Sequence, residues 1–127
     1  MILLDTNCLI WYLTNDPKLG KAARNILTGN DKVCFSPISI VEIKVKQLRG
    51  KFRETGDLGA VLSDVGFREL PFRAEDAMQI TKFPSLIEHD PFDRMLLCQA
   101  TTHNSTFMTS DSVLLSLGFD WIIDAQD

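Results

Sequence analysis

Two apolar patterns alternate along this chain: continuous runs of three or four residues, and longer stretches whose apolar positions recur every three or four. The runs read as strands buried on both faces, and the stretches as helices with one face inward. Met1 to Leu4 is the first run, ending at Asp5-Thr6-Asn7. A helix is expected from about Cys8 to Leu13, broken by Asn15-Asp16-Pro17, and a second from Leu19 to Leu27, closed by Gly29. Val33-Cys34-Phe35 is the next strand. Ser36-Pro37 then opens a helix from about Ile38 to Leu48 that stops at Gly50. Further helices are expected at Leu58 to Val65, Ala74 to about Thr81, Asp90-Pro91-Phe92-Asp93 to Ala100, and Val113 to Leu117. The remaining strands fall at Phe67 to Leu70, Thr106 to Met108 and Trp121 to Ile123. Short strands alternating with helices predict an α/β fold around a mostly parallel sheet. With no repeat, low-complexity tract or linker, residues 1–127 read as a single domain.

Composition narrows the function classes. A chain of 127 residues can bury a sizeable core without staples. Its net charge of −4 argues against a uniformly basic nucleic-acid-binding surface. A nuclease that holds Mg²⁺ through carboxylates is still allowed, because such a centre must be acidic. Cys8, Cys34 and Cys98 are odd in number and scattered, which suggests reduced thiols in a cytoplasm. No targeting segment is expected, since the first apolar run reaches Asp5 at once. No stretch approaches the ~20 apolar residues of a membrane span.

The candidate chemistry lies in four acids. In parallel sheets, ligands bind just beyond the carboxyl ends of strands. Asp5 and Asp111 each stand there, although a turn or helix N-cap explains either one alone. On the third helix Ile38, Val41, Val45 and Leu48 are expected to form the inward stripe, with Glu42 on its border. A carboxylate there needs a cation or hydrogen-bond donors, and Lys46, four residues on, is one available partner. Asp90 suits an N-cap ahead of Pro91, and Asp93 falls on the first turn, where the helix dipole also favours it.

Hydrolysing a phosphodiester needs a strong nucleophile and compensation for charge growing on the leaving oxygen. Mg²⁺ or Mn²⁺ can supply both, and hard cations take oxygen ligands. His89 and His103 lack metal-ligand spacing with any cysteine, so a zinc site is not expected. His89 flanks the acidic helix start and could touch substrate, with a solvated or capping role as the plainer reading. Thr6, Asn7, Thr109 and Ser110 sit beside the acids, where turn and cap duty explains them equally well. Lys44, Lys46, Arg49, Lys51 and Arg53 put five positive charges within ten residues. Such a run suits a phosphate backbone, with Lys46, Arg49 and Lys51 the substrate contacts of choice, and suits a solvated face too.

Together these segments resemble the PIN-domain ribonucleases, and among them the VapC-like toxins of toxin–antitoxin pairs. The likeness runs over essentially the whole chain. It rests on LLDTN at Leu3–Asn7, the S-x-x-S-x-x-E helix at Ser36–Glu42, DPFDRMLLCQA at Asp90–Ala100, and MTSD at Met108–Asp111. The resemblance implies that Asp5, Glu42, Asp93 and Asp111 hold Mg²⁺ or Mn²⁺ and cleave single-stranded RNA endonucleolytically. It also implies a five-stranded sheet in the order 3-2-1-4-5, a VapB-like antitoxin partner and a homodimer. The chain departs from the common pattern at Val41, where an aromatic is frequent, at Cys98, where alanine is usual, and at His89, which directly precedes Asp90. Two competitors stand beside this reading. One is a phosphatase with Asp5 as nucleophile, which would want an acid where Asn7 stands; the other is a non-catalytic PIN-like RNA-processing or RNA-binding module.

Overall fold

The computed structural model describes residues 1–30, 32–53 and 56–127. The strands are β1 (Ile2–Leu4), β2 (Val33–Phe35), β3 (Arg68–Glu69), β4 (Thr106–Thr109) and β5 (Ile122–Asp124). They form one sheet in the order β3-β2-β1-β4-β5, and every pairing is parallel. This is the expected order, with β1 and β4 as neighbours on either side of the point where the strand order reverses. The helices are α1 (Thr6–Leu13), α2 (Lys21–Thr28), α3 (Pro37–Leu48), α4 (Leu58–Asp64), α5 (Ala74–Ala77), α6 (Pro91–Thr102) and α7 (Ser112–Leu115).

The continuous apolar runs are explained by two cores, one on each face of the sheet. Successive strand side chains point to opposite faces, so neighbouring residues of one strand join different cores. Ile2, Leu4, Val33, Phe35 and Met108 pack with Leu9, Ala23, Ile43 and Leu62 from α1 to α4. Leu3, Cys34, Phe107 and Ile122 pack with Leu96, Leu97 and Ala100 of α6 and Leu114 of α7. The result is a three-layer α/β/α arrangement.

Several element ends differ from expectation. Helix α1 starts at Thr6, not Cys8, because the Asp5 side chain caps it. The helix expected from Ala74 to Thr81 stops at Ala77 and tightens into a 3₁₀ turn over Met78–Lys82, and a second 3₁₀ turn covers Pro84–Leu86. Pro84 disfavours α-helical geometry at Phe83, which accounts for the chain leaving the first 3₁₀ turn there. Helix α3 ends at Leu48 with Arg49 as its cap, and Gly50 just beyond has a φ of +70°, the left-handed geometry that favours glycine.

The face of α3 is also rotated from the expected one. Its buried residues are Ser39 and Ile43, whereas Val41 is half exposed and Leu48 is 88% exposed. A helical wheel turns serines outward. Here Ser39 is drawn inward because its hydroxyl accepts a hydrogen bond from the Thr6 hydroxyl at 3.0 Å.

Candidate active site

Pairing of Leu4 with Met108 in the β1–β4 ladder sets Asp5 beside the end of β4, and the Asp5 N–H donates to the Met108 carbonyl at 2.9 Å. Asp5 is only 2% exposed, so its carboxylate must be satisfied from within. Its Oδ1 accepts from the Cys8 N–H at 2.7 Å, while Oδ2 accepts from the Thr109 hydroxyl at 2.7 Å and the Ser110 N–H at 3.0 Å. Thr109 in turn accepts from the Asp111 N–H at 3.0 Å. One buried hydroxyl therefore fixes both strand-end aspartates.

Asp111 caps α7: its Oδ1 accepts from the Val113 N–H at 2.9 Å and the Leu114 N–H at 3.0 Å. Its Oδ2 points elsewhere, 3.3 Å from Nε2 of His89. Asp90 caps α6, accepting from the Phe92 N–H at 2.8 Å and the Asp93 N–H at 3.3 Å, with Pro91 in the first turn. Asp93 is thereby held on the first turn of α6, its Oδ2 3.4 Å from His89 Nε2. Glu42 projects from α3 three residues beyond Ser39, on the same helical face. Its Oε2 is 3.8 Å from the Lys46 ammonium, and its buried Oε1 has no hydrogen-bond partner among the described residues.

All four acids line one polar cavity of about 370 Å³, together with Thr6, Asn7, Asp90, Ser110 and Ser112. The crowding is visible in the protonation equilibria of Asp5 and Asp93. Burial raises the Asp5 carboxyl above its ordinary value and outweighs the opposing hydrogen bonds from Thr109, Cys8 and Ser110; the charge of Glu42 pushes in the same direction. Asp93 is pushed up to about 8, first by burial and then by the charges of Asp5, Asp90, Asp111 and Glu42. Carboxylates that resist ionisation, as Asp5 and Asp93 do, gain from a cation. The orphaned Glu42 Oε1 and the one-sided hydrogen bonding of Asp111 leave oxygens free to accept one, so these residues fit a hard divalent ion.

The basic run divides. Lys46 lies at the rim, near Glu42 and 3.5 Å from the Asn7 side-chain oxygen. Lys51 and Arg53 instead line a separate cleft with Thr14, Gly50 and Phe52. Arg49 is exposed at the C-cap of α3, and the Lys44 ammonium donates to the Gly56 carbonyl at 3.3 Å.

His89 is the residue that sequence reasoning underweighted. Its side chain is 16% exposed, and Nε2 faces both Asp93 and Asp111. The available signal was its place one residue before the cap of the helix that carries Asp93.

The family model for the PIN domain matches residues 2–120. No curated protein matches the chain. Among solved structures, a toxin–antitoxin complex from Klebsiella pneumoniae contains a chain with 15% identity and a TM-score of 0.67, the alignment covering 98% of each chain. VapBC2 from Rickettsia felis, bound to a promoter DNA fragment, gives 18% identity and a TM-score of 0.65 over 98% of this chain and 97% of that one. FitAcB from Neisseria gonorrhoeae gives 22% identity and a TM-score of 0.67 over 98% of each. At these identities the likeness is one of fold.

Proposed function

This chain belongs to the PIN-domain family, a family of nucleases, and from that premise we propose that residues 1–127 act as one metal-dependent endoribonuclease domain on single-stranded RNA. The observation that carries the proposal is the convergence of Asp5, Glu42, Asp93 and Asp111 on one polar cavity. Asp93, Asp111 and Glu42 would hold Mg²⁺ or Mn²⁺ through their free oxygens. Asp5 would join them, its carboxylate held in place by Cys8, Thr109 and Ser110. The bound cation would supply positive charge against the scissile phosphate and acidify water. The chain's own part is orientation. Thr109 and Ser110 hold Asp5, and the α6 and α7 caps hold Asp90 and Asp111. Lys46, Arg49 and Lys51 would contact the RNA backbone.

An aspartyl-nucleophile phosphatase is the poorer reading. Both Asp5 oxygens accept hydrogen bonds and the residue is buried, which suits a fixed ligand better than an attacking group.

We further read the protein as the toxin of a pair, acting in the cytoplasm as a homodimer and restrained by a VapB-like antitoxin. Support comes from the full-length fold likeness to chains in toxin–antitoxin complexes. An apolar cleft lined by Ile10, Leu13, Ile43, Phe52, Leu58 and Val61 suits the apolar side chains of such a partner. The three cysteines are unpaired and buried, in keeping with a reducing compartment. Among the described residues, no helix is long and apolar enough to cross a membrane.

The test is cleavage of labelled single-stranded RNA with Mn²⁺, with Mg²⁺ and with chelator. Internal cuts that need metal and vanish in Asp93→Asn are expected. Cleavage that persists in chelator, or none with either metal, would overturn the reading.

A further inference from the structure

We propose that His89 is a nitrogen ligand of the metal centre and makes the site selective for Mn²⁺ over Mg²⁺. The inference rests on the carboxylate-site reading above and adds a residue to it. Nε2 of His89 lies 3.4 Å from Asp93 Oδ2 and 3.3 Å from Asp111 Oδ2. These three residues each offer one donor atom, and the three atoms lie within 4.8 Å of one another.

The geometry favours a shared ion over direct contact. Nε2 is buried and has no hydrogen-bond partner among the described residues, although two carboxylates stand beside it. Donor atoms bound at right angles to one ion, each at about 2.1 Å, are separated by about 3 Å. The observed spacings are close to the edges of such a polyhedron and long for charge-assisted hydrogen bonds. The backbone supports the same role. The His89 N–H donates to the Leu86 carbonyl at 2.9 Å, in the turn that follows the 3₁₀ segment Pro84–Leu86, and this fixes the residue just ahead of the Asp90 cap.

The chemical consequence follows from ligand type. Carboxylates alone accept Mg²⁺ and Mn²⁺ readily, whereas an imidazole nitrogen is a poor ligand for hard Mg²⁺, which takes oxygen donors, and a better one for a first-row transition ion. A site of three or four carboxylates plus one imidazole therefore discriminates where an all-oxygen site does not.

The test titrates Mn²⁺ and Mg²⁺ separately into the full chain by calorimetry and records pulsed electron paramagnetic resonance of the Mn²⁺-loaded protein. Wild type is expected to bind Mn²⁺ at least about tenfold tighter than Mg²⁺ and to show nitrogen hyperfine coupling. His89→Ala is expected to lose roughly tenfold in Mn²⁺ affinity and less than about threefold in Mg²⁺ affinity, together with the nitrogen coupling. His103→Ala should keep the coupling, and His89→Gln, which preserves bulk, should lose it. Absence of nitrogen coupling in wild type would overturn the proposal. So would a His89→Ala variant with unchanged Mn²⁺ affinity, or one that binds both ions tighter, since the imidazole would then be a counter-ion that metal displaces. Wild type that binds neither ion at millimolar concentration would overturn the carboxylate site itself, and this inference with it.

Discussion

At the scale of single residues, cap and site acid are one role and not two. Asp111 spends Oδ1 on the α7 N–H groups and turns Oδ2 to the cavity; Asp5 caps α1 and lines the same cavity. The sequence posed these as alternatives, and only geometry could join them. Asp93 gives the sharpest pH prediction. Its carboxyl rises from 3.8 to about 8 on folding, because burial and the charges of Asp5, Asp90, Asp111 and Glu42 oppose ionisation, with His89 facing it from the preceding loop. The folded state therefore holds this proton more tightly than the unfolded state. Its stabilising contribution is complete below the unfolded value and is lost as pH rises through about 8. Metal-free wild type should accordingly lose melting temperature as pH rises from about 4 to about 8 and level off above that, and Asp93→Asn should flatten the decline. A wild type and variant with parallel profiles would show that Asp93 is ionised throughout. The neighbouring acid separates cleanly: Asp90→Ser keeps the cap and should retain substantial cleavage, whereas Asp93→Asn should abolish it with the fold intact. The reverse ranking would exchange their roles.

At the scale of elements, β1 and β2 were legible because they are apolar at every residue and two cores demand that, whereas β3 is the exposed pair Arg68–Glu69 and was legible only through its apolar flanks Phe67 and Leu70. Helix ends and faces were less so. The exit from the 3₁₀ turn at Phe83 depends on Pro84, which follows it, and the inward face of α3 depends on a hydroxyl of α1. Periodicity within one segment carries neither fact. His89 was obscured for the same reason, since its partners come from α6 and α7 and meet only in the folded chain. The Thr6–Ser39 bond is the element-scale device that aims Glu42, so it has a measurable worth. Thr6→Val leaves the fully buried Ser39 hydroxyl without this partner and should cost about 1–3 kcal/mol in denaturant unfolding. Thr6→Val with Ser39→Ala should recover part of that loss, because neither polar group is then stranded. Additive losses in the double variant would mean the bond contributes nothing of its own.

At the scale of the whole molecule, a net charge of −4 sets a problem for any RNA-cleaving enzyme. Polyanionic substrate is repelled on average, so attraction has to come from a local basic surface. The run from Lys44 to Arg53 is the proposed surface, and the structure splits it into a rim residue, Lys46, and outlying residues, Arg49 and Lys51. The two groups should respond differently. Each phosphate contact on a single strand contributes about 0.7 to the slope of log affinity against log salt. Arg49→Gln with Lys51→Gln should therefore weaken RNA binding and lower that slope by about 1.4, with turnover of saturating RNA little changed. Lys46→Gln removes the cation nearest Glu42 and should act on the site as well, reducing turnover at saturating RNA. Fluorescence anisotropy over a salt series, paired with single-turnover cleavage, reads both effects. An unchanged slope in the Arg49/Lys51 double variant would sink the binding role and leave those charges as a solvated face or part of an antitoxin-docking surface. A Lys46→Gln variant that binds weakly yet turns over normally would return Lys46 to the backbone-contact group.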